Sequence, residues 1–94
     1  MFVVMADVLL KESTESEFKE WFSESNKTLS KANGFVSRRL LKSSDGSYRI
    51  LLQHQSKDTF EKMIDSEEHK KLNAVAVTFM IKSPTRMLYE VLAS

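Results

Sequence analysis

The sequence predicts an α+β fold in which two helices cover one face of a four-stranded antiparallel sheet. Three observations carry this prediction. Four short segments are rich in β-branched and aliphatic residues, as strands are. Two longer segments repeat apolar residues at the spacing of a helix face. The six segments follow one another along the chain in the order β-α-β-β-α-β.

The first strand is predicted at residues 2–10, because this short run is almost entirely apolar and suits a strand covered on both faces. A helix follows, since Thr14 and Glu17 have the spacing of a capping box. Asn33 and Gly34 are a typical C-terminal stop, which gives this helix about five turns. Its apolar face comprises Phe18, Phe22, Ser25, Leu29 and Ala32.

A β-hairpin is predicted next. Strands at residues 35–42 and 48–55 flank residues 43–47, whose Ser-Ser-Asp-Gly-Ser composition is typical of a turn. Because side chains alternate along a strand, Arg38 and Arg39 fall on opposite faces of the sheet. By the same rule, one face of the second strand carries Tyr48, Ile50, Leu52 and His54.

The second helical segment is predicted to begin after Ser56 as N-cap, and Ser66 can restart the helix. The dipeptide Ser83-Pro84 ends the segment, and residues 86–92 form the last strand. The complete order is that of the ferredoxin-like pattern, with both helices on one face of the sheet. The apolar face of this segment comprises Phe60, Met63, Ile64, Leu72, Val75, Ala76 and either Phe79 or Met80.

The first and last strands carry more apolar surface than two helices can cover. Both alternating faces of residues 2–10 are largely apolar, and residues 86–92 have a similar character. Monomers rarely expose a large contiguous apolar patch. The face away from the helices is therefore predicted to pack against the same face of an identical subunit, which would make the protein a homodimer.

Composition excludes several classes of function. The 94 residues suffice for one domain, and no stretch approaches the ~20 apolar residues of a membrane span. The absence of cysteine excludes disulfide scaffolds and thiol nucleophiles, and with the lack of a signal-peptide pattern at the start it leads us to expect a cytoplasmic protein. A net charge of +1 and one aromatic residue in 48–54 argue against nucleic-acid binding.

Two histidines are candidates for acid–base chemistry, because an imidazole titrates near neutral pH. His54 lies at the end of a strand and is the stronger candidate base, although a hydrogen-bonded strand-end residue is the simpler interpretation. His69 lies in the charged stretch 67–71 and is the weaker candidate, since such a stretch is usually a solvated helix face. Their spacing is not that of metal ligands, so no metal site is predicted.

An aromatic and methionine set lies on the predicted helices. Such a set is most often part of a core, but it can also line an apolar cavity that accepts a flat organic ligand. Its members are Trp21, Phe22, Phe60, Met63, Phe79 and Met80.

Two stretches resemble the antibiotic biosynthesis monooxygenase family, which commonly has an aliphatic strand, a Trp-x-Ser turn, a Phe on the next helix and a Ser-x-x-His/Phe-Lys stretch. They are residues 50–60, Ile-Leu-Leu-Gln-His-Gln-Ser-Lys-Asp-Thr-Phe, and 66–70, Ser-Glu-Glu-His-Lys. The resemblance covers nearly all of residues 1–94 and implies a single domain. It also implies a dimeric α+β barrel, in which two sheets pack face to face, with a pocket between each sheet and its helices.

Members of that family include cofactor-independent oxygenases of polycyclic phenols, quinol oxygenases and haem-degrading enzymes. This chain departs from the haem-degrading pattern, since the positions of its Asn, Trp and His fall on Val8, Met63 and Asn73. We therefore expect neither haem nor any other cofactor. His54 stands where the family often has the Trp of Trp-x-Ser.

The resemblance thus implies a monooxygenase acting on a flat aromatic or quinol-type molecule without a cofactor. In this hypothesis His54 is the base that removes a phenolic proton, with His69 as a second candidate. Two alternatives stay open: a non-catalytic, small-ligand-binding or stress-related dimer, and a haem-binding or haem-degrading relative without the usual residues. The predicted substrate-binding residues are Val8, Trp21, Phe22, Phe60, Met63, Asn73, Phe79 and Met80.

Overall fold

The computed structural model describes all 94 residues and forms a single antiparallel sheet in the order β2-β3-β1-β4, with the helices on one face. This confirms the predicted ferredoxin-like α+β fold. One difference is that the second helical segment divides in two. The elements are β1 (Phe2–Val8), α1 (Glu15–Leu29), β2 (Phe35–Lys42), β3 (Tyr48–His54), α2 (Lys57–Ile64), α3 (Glu67–Ala76) and β4 (Thr85–Glu90), with a 3-10 turn at Val77–Phe79.

Serine side chains begin both shorter helices, as predicted. Ser56 Oγ accepts a hydrogen bond from the Thr59 backbone N–H at 3.1 Å, and the Thr59 side chain returns a bond to the Ser56 N–H. Ser66, with extended backbone, accepts from the His69 N–H at 3.2 Å. The chain therefore leaves helical geometry at Ser66 and starts a new helix in a different direction.

The start of α1 differs from the prediction. Thr14 makes no side-chain cap, because its hydroxyl donates to the Lys11 carbonyl oxygen at 2.7 Å. The helix also stops at Leu29, so it has about four turns rather than five. Ala32 lies beyond it, in the turn that leads to β2.

The strand β1 ends at Val8, two residues earlier than predicted. Beyond it, Leu10 forms an isolated antiparallel bridge with Met80. Two flanking bonds hold this bridge: Lys11 N–H donates to the Phe79 oxygen, and Ile81 N–H donates to the Leu9 oxygen, both at 2.8 Å. The end of β1 is thus fastened to the segment that follows α3.

The two faces of the sheet are unequally covered. On β1, Phe2, Val4, Ala6 and Val8 lie beneath the helices and are buried. The alternate positions form what we call the open face, which no helix covers. By strand register this face carries Val3, Met5, Leu51, Met87 and Tyr89, together with the ion pair of Asp7 and Arg49 at 2.7 Å.

The covered face holds the core in two clusters. The first comprises Phe2, Val4, Leu29, Leu52, Phe60 and Met63, and the second Val8, Phe18, Phe22, Ala76 and Met80. The whole chain exposes 6172 Å2, against about 5,500 Å2 expected for a folded monomer of its size. The excess agrees with a sheet face that the chain itself leaves uncovered.

Candidate functional site

A cavity of about 70 Å3 lies between the helices and the covered face of the sheet. It touches both core clusters. Of its 16 lining residues 11 are hydrophobic, so it is an apolar space with few polar groups. Those polar groups are Arg38, His69, Asn73 and Arg86.

Each polar group reaches the cavity from a different part of the fold. His69 and Asn73 are four residues apart on α3, which places them one turn apart on the same side of that helix. Arg86 on β4 is paired with Ala6, and Arg38 on β2 is paired with Leu52. Since Ala6 and Leu52 face the helices, both arginines lie on the covered side of the sheet.

His69 is a neutral imidazole at neutral pH. Burial, together with the positive charges of Arg86 and Arg38, lowers its pKa to about 4. Its backbone N–H is bonded to Ser66, but its ring makes no hydrogen bond within the chain. The ring is therefore free to exchange a proton or a hydrogen bond with a molecule in the cavity.

Arg38 is held by neutral groups. Its Nη1 donates to Ser25 Oγ at 2.7 Å and to Asn26 Oδ1 at 2.8 Å. The guanidinium carbon lies 4.1 Å from the centre of the Phe22 ring. Burial lowers the pKa of Arg38 to about 10, which still leaves it protonated at neutral pH.

Trp21, the one tryptophan, forms part of the cavity wall. Its ring packs against Phe18, with ring centres 5.6 Å apart, and against Phe79 at 6.1 Å. These contacts hold the indole ring in place as the aromatic part of the wall, where it can stack with an aromatic ligand.

His54 lies outside the cavity and is fully buried. Its Nδ1 is 2.9 Å from Thr59 Oγ1 and its Nε2 is 3.3 Å from Met63 Sδ. The rings of Phe35 and Phe60 pack edge-on against it at 6.0 Å. We call this group the packed end. Burial lowers the pKa of His54, and both ring nitrogens already have partners.

A glycine in the preceding turn makes the packed end possible. Gly34 has a φ of +82°, and a Cβ at this position would collide with the Thr59 side chain. Its carbonyl oxygen accepts from the Gln55 N–H at 2.8 Å. The turn thus fixes Thr59 beside His54.

The cavity brings together some of the predicted site residues and not others. Trp21, Phe60, Asn73, Met80 and His69 line it. Val8, Phe22, Met63, Phe79 and His54 do not; they pack in the core around it. The sequence reasoning missed Arg38 and Arg86 as lining residues. The alternation along β2 was the available signal, since it places Arg38 and Arg39 on opposite faces.

Some residues of the cavity lining also border two depressions at the surface. Asn73, Pro84 and Arg86 also border a surface depression of about 260 Å3. Arg38 also borders a groove of about 410 Å3 between α1 and β2. The internal space is smaller than the ~150 Å3 that accommodates benzene in an engineered core, so an aromatic ligand requires movement of the walls. Met80 is a flexible part of those walls.

The arrangement of titratable side chains offers no metal site, since no three His, Cys, Asp or Glu side chains lie close enough together to hold an ion. None of the helices has the length and apolar character needed to cross a membrane.

The chain has the fold of many solved structures. A crystal structure from Bordetella bronchiseptica, of a protein described as an antibiotic biosynthesis monooxygenase, superposes with a TM-score of 0.87 at 13% identity. The superposition covers 98% of this chain and 97% of that one. A protein of the same description from Caulobacter crescentus gives 0.85 at 18% identity, covering 98% and 90%. SnoaB, a cofactor-independent oxygenase from Streptomyces nogalater, gives 0.82 at 16%, covering 99% and 95%.

The high TM-scores establish the fold, and they establish the fold alone because all three identities are below 20%. No protein-family model matches the sequence, and no curated protein matches it.

Proposed function

We propose that this chain is a single-domain member of the antibiotic biosynthesis monooxygenase family that oxidises a flat aromatic or quinol-type molecule without a cofactor. The observation that carries the proposal is the apolar cavity into which His69 presents a neutral imidazole with no partner in the chain. The superposition over 99% of the chain on a cofactor-independent oxygenase supports it.

The substrate supplies the electrons in this proposal. A phenol or enol loses its proton to the His69 ring, and the resulting anion delivers electrons to O2 at the ring carbon. One oxygen atom forms the new C=O group and the other leaves as water, so that a C–H carbon of a naphthol becomes a quinone carbonyl. The apolar walls keep bulk water from the reactive intermediate.

His69 replaces His54 as the proposed base for a physical reason. A general base must come within hydrogen-bond reach of the proton that it abstracts. Both nitrogens of His54 are occupied inside the packed end, whereas those of His69 are unpartnered. We assign His54 a structural role, which is the simpler of the two interpretations that the sequence left open.

Without a bound anion the pKa of His69 is low for a general base, and binding of the substrate anion raises it. The two guanidinium groups that depress the pKa of His69 also stabilise a phenolate. Once the anion is bound, its charge offsets the two arginines and favours the protonated imidazole. The proton transfer is thus coupled to the formation of the anion.

A homodimer through the open face is the proposed assembly. The open face combines Met5, Leu51 and Met87 at adjacent register positions, and Tyr89 and Val91 extend it at 47% and 39% exposure. Burying such a surface contributes roughly 25 cal/mol per Å2. A Leu51→Glu variant should lower the mass measured by light scattering from two chains to one. We propose a cytoplasmic location on the sequence alone.

Oxygen uptake and isotope labelling test the proposed reaction. Purified protein should consume O2 with dihydroxynaphthalenes and anthrones, and 18O2 should place one labelled atom in the product. A His69→Gln variant should lose turnover, whereas Glu68→Gln, which changes the neighbouring exposed residue, should retain it. Absence of turnover across the panel contradicts the proposal.

The non-catalytic alternative is distinguished by the same samples. Ligands that raise the melting temperature without O2 uptake would identify a binding module rather than an oxygenase. A haem titration addresses the other alternative, because a bound haem would shift the Soret band.

A further inference from the structure

We propose that the cavity selects aromatic molecules that carry an anionic group, and that the Arg38 guanidinium is the group that binds that anion. This inference rests on the proposed function, because it specifies the charge of the ligand for the same cavity. It concerns a residue of β2 that does not itself accept the proton, and it assigns to Arg38 a direct contact with the anion.

Arg38 carries a positive charge that has no carboxylate partner within the chain. The chain has five ion pairs, and every one involves other residues. The partners of Arg38 are a hydroxyl, an amide oxygen and an aromatic ring. Placing a guanidinium in a partly buried position is costly unless its charge is compensated. A ligand anion would provide the missing charge.

The cavity lining has no negatively charged side chain. It contains two arginines and one histidine, but no aspartate or glutamate. The positive charge is felt inside the cavity, because Arg86 and Arg38 both lower the pKa of His69. A neutral ligand gains nothing from this field, whereas a phenolate, enolate or carboxylate does.

Contacts within the chain fix the position of Arg38 before any ligand binds. Asn26 accepts from Arg38 Nη1 and also donates to the Arg38 carbonyl oxygen at 2.9 Å, so α1 and β2 hold the residue at two points. Ser25, the other acceptor, is itself buried. Only Nη1 has partners within the chain, and the other guanidinium nitrogens remain available for an oxygen anion.

Arg38 is also the only charged group shared by the cavity and the groove between α1 and β2. A ring in the cavity can therefore direct a substituent past the guanidinium toward solvent. This position suits a carboxylate or an ionised hydroxyl on the edge of an aromatic system. Both groups place an oxygen anion on a flat ring, and the experiment below distinguishes the carboxylate from the ionised hydroxyl.

Fluorescence of Trp21 provides a direct assay, since it is the one tryptophan and lies in the cavity wall. The probes are 2-naphthoate and its neutral isostere 2-naphthamide, with 2-naphthol measured below and above its own pKa to test the phenolate. Wild-type protein should bind naphthoate about tenfold or more tightly than naphthamide, which is the range of one charge-assisted hydrogen bond. Higher salt should reduce that preference.

Matched variants assign the preference to Arg38. Arg38→Gln should abolish the preference for naphthoate and leave naphthamide binding within about twofold of wild type. Arg38→Lys, which keeps the charge, should retain part of it and covers the case in which Arg38→Gln does not fold. Lys70→Gln, which removes one positive charge from an exposed position of α3 outside both the cavity and the groove, should leave the preference intact.

Two outcomes overturn the inference and are distinct from each other. If naphthoate and naphthamide bind wild-type protein equally, the cavity accepts aromatic molecules without regard to charge and the inference fails, while O2 uptake with a neutral quinol that is lost in His69→Gln would still support the proposed oxidation. If neither probe changes Trp21 fluorescence or melting temperature, the cavity is not an aromatic site, and the proposed function falls with the inference.

Discussion

The packed end and the cavity each contain one histidine, and the two histidines differ in burial and in the hydrogen bonds of their rings. In the packed end both nitrogens of His54 have partners and no solvent reaches the ring. In the cavity the ring of His69 has no partner in the chain and faces two cations. A histidine is therefore available for chemistry when its ring can be reached by a ligand and its ring nitrogens lack hydrogen-bond partners, whatever its position in the sequence pattern.

The largest effect should come from filling the space behind Thr59. Gly34→Ala forces a Cβ into the Thr59 side chain at a positive φ, so we expect about 4 kcal/mol of destabilisation, the sum of overpacking and backbone strain. Gly46→Ala is the matched control, because Gly46 has a φ of +90° with open space around it. It should cost about 1–2 kcal/mol in urea unfolding. If the two variants lost equal amounts of unfolding free energy, the packed end would be able to rearrange around the added Cβ without strain.

Truncating the two histidines should separate stability from activity. His54→Ala leaves a hole among aromatic rings and removes the partner of Thr59, so the free energy of unfolding should fall by about 3 kcal/mol. His69→Ala removes a partly exposed ring with no hydrogen bonds and should cost less than about 1 kcal/mol. Comparable losses in denaturant titrations would contradict the distinction between the regions.

Stability should decrease as the pH falls below 6.5, the ordinary pKa of histidine. Burial depresses the folded-state pKa of both histidines, so the unfolded chain takes up protons first and protonation favours unfolding. For His69 the window runs from 6.5 down to about 4. The slope for each histidine stays below about 1.4 kcal/mol per pH unit, and partial exposure of His69 reduces it.

His69→Gln should flatten the dependence of the melting temperature on pH across that window, as measured by thermal denaturation in a series of buffers. An unchanged slope would show that the imidazole is as easily protonated in the folded chain as in the unfolded one.

The smallest changes in stability are expected at Ser56 and Thr14, the residues before α2 and α1 that the sequence predicts as helix caps. Ser56 belongs to the network that fixes Thr59, and Ser56→Ala should cost about 1 kcal/mol. Thr14 caps nothing and bonds the Lys11 carbonyl at an exposed position, so Thr14→Ala should cost only a few tenths of a kcal/mol. Thermal melts of the two variants check this order.

The fold could be predicted because its signals are local. Apolar spacing along α1, the turn at 43–47 and the serines before α2 and α3 each specify their element with little help from the rest of the chain. Thr14 shows the limit of this reasoning. Its sequence context fits a capping box, but the carbonyl of Lys11 competes for its hydroxyl.

The cavity was harder to predict because it depends on long-range geometry. His54 and His69 look alike in sequence, and only the packing of Phe35, Phe60 and Met63 encloses the former. Arg38 reads as an ordinary charged residue of an edge strand. The register of β2 against β3 and the position of α1 above them turn it toward the cavity.

The bridge between Leu10 and Met80 limits how the cavity can open. Its two flanking hydrogen bonds tie the C-terminal end of α3 to the end of β1, so that end of the helix cannot swing away without breaking them. The opposite end follows the non-helical junction at Ser66 and has no such tether. Amide hydrogens of Lys11 and Ile81 should therefore exchange with deuterium slowly, and those of Glu67 and Glu68, at the untethered start of α3, should exchange earlier.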